Sequence, residues 1–92
     1  MGSLVIVHYD RTESINDVMK SKLSHKNYPN LTRQLLRGNR EVLRVEVIGS
    51  CCWHIFSDIH FVGEKQYLST GFNSHPLFDT KSAKRIDCSD EK

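Results

Sequence analysis

Cys52 and His54 are the two residues whose types and spacing could do chemistry most directly. Residues i and i+2 of a strand share a face, so an extended chain sets this thiol beside this imidazole. A thiolate next to a base is the core of a nucleophilic site. Such a site also needs an oxyanion-binding group and a third residue to orient the base, and the chain offers no motif for either. The plainer reading is a surface or half-buried histidine. His8, His25, His54, His60 and His75 contain no His-x-x-x-His pair, so they do not predict a helical transition-metal site.

The cysteines are Cys51, Cys52 and Cys88. Adjacent cysteines rarely bond to each other without strain, and three cysteines leave at least one thiol free in a monomer. No Cys-x-x-Cys occurs, which argues against a zinc knuckle or a thioredoxin-type site. Buried, reduced thiols at Cys51 or Cys52 are the expected state. A bond from Cys88 to Cys51 or Cys52, or an intermolecular bridge, is the alternative under oxidising conditions.

The elements that must position these residues belong to one domain. Ninety-two residues cannot supply two cores, and 38% apolar with 26% charged residues is ordinary for a globular protein. The net charge of +2, from 13 basic and 11 acidic residues, is too balanced to point to nucleic acid. Apolar runs such as Leu4-Val5-Ile6-Val7 are too short to cross a bilayer. The N-terminus lacks a basic stretch followed by an apolar signal segment, so the expected location is cytoplasmic.

Ser3 to Tyr9 is β-branched and aromatic and reads as a strand, with Leu4, Ile6 and His8 on one face. Ile15, Val18, Met19 and Leu23 fall at helical spacing, with Thr12 or Ser14 as cap, so the spacing predicts a short helical turn; a bent strand is the rival. Ser24 to Leu31 reads as a loop ending at Tyr28-Pro29-Asn30-Leu31. Val42 to Ile48 alternates, with Leu43, Val45 and Val47 inward and Arg44 and Glu46 outward. Glu64 to Thr70 reads as a strand, Gly71 to Leu77 as a loop, Asp79 to Ser82 as a turn and Ala83 to Cys88 as a weak last strand. The tail from Ser89 to Lys92 is expected to fray.

The stretch Cys51 to Gly63 carries the most information. A strand ends near Phe56, the chain folds back, and Phe61 returns to cover the turn. Gly63 then supplies a positive φ that a residue with a Cβ adopts only at a cost. A generic hairpin with aromatic flanks is the bland alternative. Trp53, Phe56, Phe61, Tyr67 and Phe72 could stack on a ligand, but the hairpin already explains their places as packing.

The two halves repeat an order of events. Strand Leu4–Tyr9 corresponds to Cys52–Phe56, and His8 and His54 fall in these strands, so both are expected to point the same way. Tyr28-Pro29-Asn30-Leu31 corresponds to Phe72 through Pro76-Leu77. The turn Gly38-Asn39-Arg40-Glu41 precedes one strand as Asp79-Thr80-Lys81-Ser82 precedes another. Two units of about four short strands, neither able to bury its apolar face alone, pack as a sandwich.

Phe56-x-x-x-x-Phe61-x-Gly63 is similar to the folded-hairpin signature of the βγ-crystallin superfamily, and Gly49-Ser50-Cys51-Cys52-Trp53 resembles the link into a second motif of such domains. The resemblance covers roughly residues 45–86 and reaches the first half only faintly. There Tyr9, Ser14 and Asn16 stand at the matching positions, so serine replaces an aromatic and asparagine the glycine. It implies a single all-β domain over 1–92, a β-sandwich of two Greek-key motifs spanning about 3–48 and 50–88.

The resemblance also implies calcium. The family signature is Asn/Asp-Asn/Asp-x-x-Ser/Thr-Ser before the last strand of each motif, which suits an ion that takes six to eight oxygens. The first copy aligns near Gly38-Asn39-Arg40-Glu41-Val42-Leu43, where Asn39 is kept and the hydroxyl is lost. The second is Phe78-Asp79-Thr80-Lys81-Ser82-Ala83, which keeps Asp79 and Ser82. By family analogy, carbonyls at Asp10 and at Ser57 or Asp58 complete such sites. Asp79, Ser82 and Asn39 could equally be plain turn residues.

The resulting expectation is a non-enzymatic structural or stress-related protein with residual calcium binding at degenerate sites, one more readily than two. Calcium is the expected partner, with no nucleic acid and no membrane, and self-association is compatible with it. The alternative is an interaction or inhibitor module without calcium, presenting a loop such as Lys20–Asn30, since sandwiches of this type also resemble some small protease inhibitors and toxins.

Overall fold

Ser3–Asp10 forms the first strand, β1, as its β-branched run predicts. The computed structural model describes residues 2–13, 18–34, 36 and 38–90. Along β1, Leu4 and Ile6 join the core. Val5 and Val7 are buried as well, although they face away from it. Their cross-strand neighbours explain this: Lys22 and Glu46 flank Val5, and Lys20 and Arg44 flank Val7. The aliphatic stems of long charged side chains cover apolar surface while their heads stay in water.

The expectation of a helical turn around Met19 is corrected. Met19–Leu23 is a strand, β2, antiparallel to β1. Ile15, Ser14 and Asn16, on which the altered first hairpin was read, lie outside the described residues. Among the described residues the one α-helix, α1, is Leu31–Gln34. Two strands sit where loops were expected: β3, Asn27–Tyr28, and β7, Asn73–Ser74. The remaining strands are β4 (Arg40–Ile48), β5 (Cys52–Phe56), β6 (Lys65–Leu68) and β8 (Ser82–Ile86).

The β4 alternation needs one correction. Val7 pairs with Arg44 and His8 with Val42, so Leu43 is an extra residue in a β-bulge. The bulge shifts the inward set to Val42, Val45 and Val47 and leaves Leu43 half-buried.

The strands form two antiparallel four-stranded sheets, in the orders β2-β1-β4-β7 and β3-β8-β5-β6. Each sheet holds three strands from one half of the chain and one two-residue strand from the other. One cluster of buried side chains draws on both sheets, with Leu4, Ile6 and Val45 from the first and Trp53, Ile55 and Leu68 from the second. Trp53 is fully buried, and its indole N–H donates to the Cys51 sulfur at 3.2 Å.

The cysteines differ from expectation. Cys52 is bonded to Cys88, and Cys51 is the free, buried thiol. Adjacent residues at a strand's start point to opposite faces, so Cys51 turns inward toward Trp53 while Cys52 turns outward. The bond holds Cys88–Asp90 as a short 3₁₀ segment where fraying was expected. It also removes Cys52 as a nucleophile for His54. His8 and His54 do not point the same way: His8 is buried on the core side of β1, and His54 stands on the outer face of β5, stacked edge-on against Phe56 and Tyr67. Among the described residues no helix is long and apolar enough to cross a membrane.

Candidate functional site

The folded hairpin after β5 is held by its own polar groups. Ser57 N–H donates to the Glu64 carbonyl at 2.9 Å, and Glu64 N–H donates to Ser57 Oγ at 2.7 Å. Asp58 caps the short 3₁₀ turn Ile59–Phe61 by accepting from Ile59 N–H at 2.8 Å. Ser82 ties this hairpin to β8: its hydroxyl donates to the Asp58 carbonyl at 2.6 Å and accepts from Phe61 N–H at 3.1 Å. Phe61 packs edge-on to Phe56 with ring centres 5.7 Å apart, as the spacing predicts. His60 and Phe61 both carry positive φ, near 60°, a conformation that costs non-glycine residues energy. The bonds from Ser82 and from the Pro29 carbonyl to His60 N–H, at 2.7 Å, hold them there. Gly63 has φ +87, as predicted.

The six residues named from the calcium signature therefore fall into two groups. Ser57, Asp58 and Ser82 meet at this hairpin, where the bonds just described engage them. Asp10 ends β1 opposite Arg40, and Asn39 and Asp79 belong to the turns at the head of β4 and before β8. Asp10 Oδ1 accepts from the N–H and hydroxyl of Thr12, at 2.9 and 2.7 Å, and these bonds hold its carboxyl below the usual aspartate range. Arg11 N–H donates to the Asn39 carbonyl at 2.9 Å, joining the turn after β1 to the turn before β4. Lys81 N–H donates to the Phe56 carbonyl at 2.9 Å, and the Lys81 carbonyl accepts from Leu31 N–H at 2.8 Å.

These turns border an open-sided cavity of about 250 Å³. Arg11, Arg40, Glu41, Asp79, Thr80 and Lys81 line it; of the six residues named from the signature, Asp79 is in this lining and Asn39 is not. Thr80 is 2% exposed, and its hydroxyl has no hydrogen-bond partner among the described residues. Glu41 already accepts the Tyr9 hydroxyl at 2.6 Å, which raises the Tyr9 pKa.

Arg40 is held from behind. Its Nε–H donates to His8 Nδ1 at 2.6 Å, and Nη2 reaches the His8 carbonyl at 3.4 Å. With Nδ1 accepting, the ring proton belongs on Nε2, which lies 2.7 Å from Ser21 Oγ. Burial, then the Arg40 charge, pushes the His8 pKa below its ordinary value and keeps the ring neutral. Because the unfolded chain protonates first, stability is full above about pH 6.5 and is lost as pH falls toward the lower folded value. The expected result is a melting temperature that drops between pH 7.5 and 5.5 in the native chain and drops less in His8→Gln. Equal drops in the two would refute this role for His8.

In comparisons with known proteins, no family model matches the chain and no curated protein is significantly similar to it. Among the described residues, no three His, Cys, Asp or Glu side chains gather as a metal-holding group. Calcium also takes hydroxyl and carbonyl oxygens, which that observation does not cover.

The sequence did not single out Arg11, Arg40, Thr80 and Lys81 as site residues. Thr80 and Lys81 lie inside the quoted turn, but only burial distinguishes an orphan hydroxyl from a solvated one. The place of Arg40 depends on the β4 bulge, which pairs it with Asp10 and aligns Val42 with His8.

Proposed function

We propose that the chain is a non-enzymatic structural domain of the βγ-crystallin type, a β-sandwich of two Greek-key motifs, with residual calcium binding at one weak site. The observation that carries this reading is the exchange of β3 and β7: in each half, three strands stay in one sheet and the third crosses to the other. The fourth strand of each half lies beside its first, the return expected of a Greek key. The bonds of the Phe56–Gly63 hairpin support the same reading. With Cys52 bonded, the Cys52–His54 pair is disarmed, which favours a structural role. The Cys52–Cys88 bridge favours an oxidising compartment over the cytoplasmic expectation.

The calcium part is narrower than the signature implied. At the hairpin, Ser82 and Asp58 already serve each other, which leaves the cavity between the turns. There the Asp79 and Glu41 carboxylates and the Thr80 hydroxyl are the right kind of donor, but three cationic side chains share the lining. That donor set fits one weak site, with a dissociation constant on the order of 10⁻³ M. Calcium at 10 mM then adds about 1.4 kcal/mol by binding the folded state alone. The expected outcome is a rise in melting temperature of roughly 5–10 °C, reversed by chelator. An unchanged melting curve and unchanged Trp53 fluorescence would remove calcium from the reading and leave the structural role.

A further inference from the structure

We infer that the cavity between the turn before β4 and the turn before β8 takes a small oxyanion of the phosphate or sulfate type, and takes it in preference to calcium. This goes beyond the structural reading above and concerns the same cavity.

Three observations carry the inference. The first is charge: Arg11, Arg40 and Lys81 line the space against two acidic residues, of which Glu41 is already engaged by Tyr9. The second is the unmatched hydroxyl of Thr80. A buried hydroxyl without a partner is costly, and a turn of the Thr80 side chain toward the cavity it lines would give its proton an anion oxygen. The third is preorganisation. Arg40 spends one N–H on His8 Nδ1 and another on the His8 carbonyl, so its bonds among the described residues leave three of its five donors. An arginine fixed from behind by a buried ring loses little freedom when an anion arrives, and its fork suits two oxygens at once.

Size narrows the ligand class. A cavity of about 250 Å³ lies below the roughly 300–1,000 Å³ of ordinary small-molecule sites, and it suits a tetrahedral anion with a few waters. A divalent cation fits worse, because it would sit beside the held Arg40 charge with Arg11 and Lys81 in the same lining.

The test follows the melting temperature of the whole chain during titration with sodium phosphate and, in parallel, sodium sulfate, against sodium chloride at equal ionic strength. The native chain should show a saturable rise with both oxyanions and none with chloride. Thr80→Val and Lys81→Gln should each weaken the apparent affinity about tenfold. Thr80→Val should melt no lower than the native chain without ligand, so its loss of affinity is not a loss of fold. Asp79→Asn should bind the oxyanion more tightly while losing any response to calcium. An unsaturable shift, a matching shift with chloride, or unchanged affinity in Thr80→Val and Lys81→Gln would overturn the inference. If calcium shifts the melt and phosphate does not, this inference fails and the calcium reading stands. The opposite pattern removes calcium and keeps the oxyanion.

Discussion

Replacing Cys52 and Cys88 together by serine is expected to lower the unfolding free energy by about 4 kcal/mol. The bond joins the first residue of β5 to the segment after β8, across a sequence separation of 36. Cross-linking over such a loop removes chain entropy from the unfolded state, and the logarithmic dependence on loop length gives that figure. For a domain of this size, a loss of that order lowers the melting temperature by roughly 15 °C or more. Urea unfolding of the native chain with and without reductant, beside the double variant, reads the effect. Reductant should shift the native midpoint and leave the variant unmoved. A change below about 1 kcal/mol would mean that the bridge is incidental to the fold.

The second large effect is expected at Gly63. Its φ of +87 is left-handed, and a Cβ built there would lie 2.3 Å from Ser57 Oγ. Alanine therefore meets two costs. The backbone conformation costs about 1–2 kcal/mol. To make room, Ser57 must also give up its bond to Glu64 N–H, worth about 1 kcal/mol. Gly63→Ala should then destabilise the protein by roughly 2–3 kcal/mol. Gly71 is the internal control: its φ is +85, but nothing lies within 4 Å of an added Cβ. Gly71→Ala should show the backbone cost alone, about 1–2 kcal/mol. Equal losses at the two glycines, measured by denaturant unfolding, would show that the close approach to Ser57 is not felt.

The long strands were legible because they carry a period. Leu4, Ile6 and their neighbours, and Trp53 with Ile55, alternate as strand residues do, and the hairpin spacing placed Phe61 and Gly63 correctly. β3 and β7 have two residues each, and two residues hold no period. β2 was misleading for a chemical reason. Its inward-side positions are Met19, Ser21 and Leu23, and Ser21, opposite Ile6, is a polar residue that hydrogen-bonds the His8 ring. That polar pair breaks the alternation and leaves Val18, Met19 and Leu23 looking helical. Leu43 was placed inward because a bulge is invisible until the partner strand is known.

The site was less legible than the fold. Asp79 was named from the resemblance to a calcium signature, and it is among the residues that line the cavity. What that cavity contains besides Asp79 depends on long-range pairing. Arg11 is brought to Asn39 by a backbone bond, and Arg40 is held by a histidine 32 residues away in sequence. The disulfide was open for the same reason: Cys51 and Cys52 are equivalent in sequence, and only the direction of β5 decides which one reaches Cys88.

Titration calorimetry with calcium, on the native chain and on Asp79→Ala, tests the structural reading with one residual site most directly. The account predicts a single weak saturable heat, with a dissociation constant on the order of 10⁻³ M, that disappears in Asp79→Ala. Two sites, binding tighter than about 10⁻⁵ M, or a heat unchanged in Asp79→Ala would contradict it.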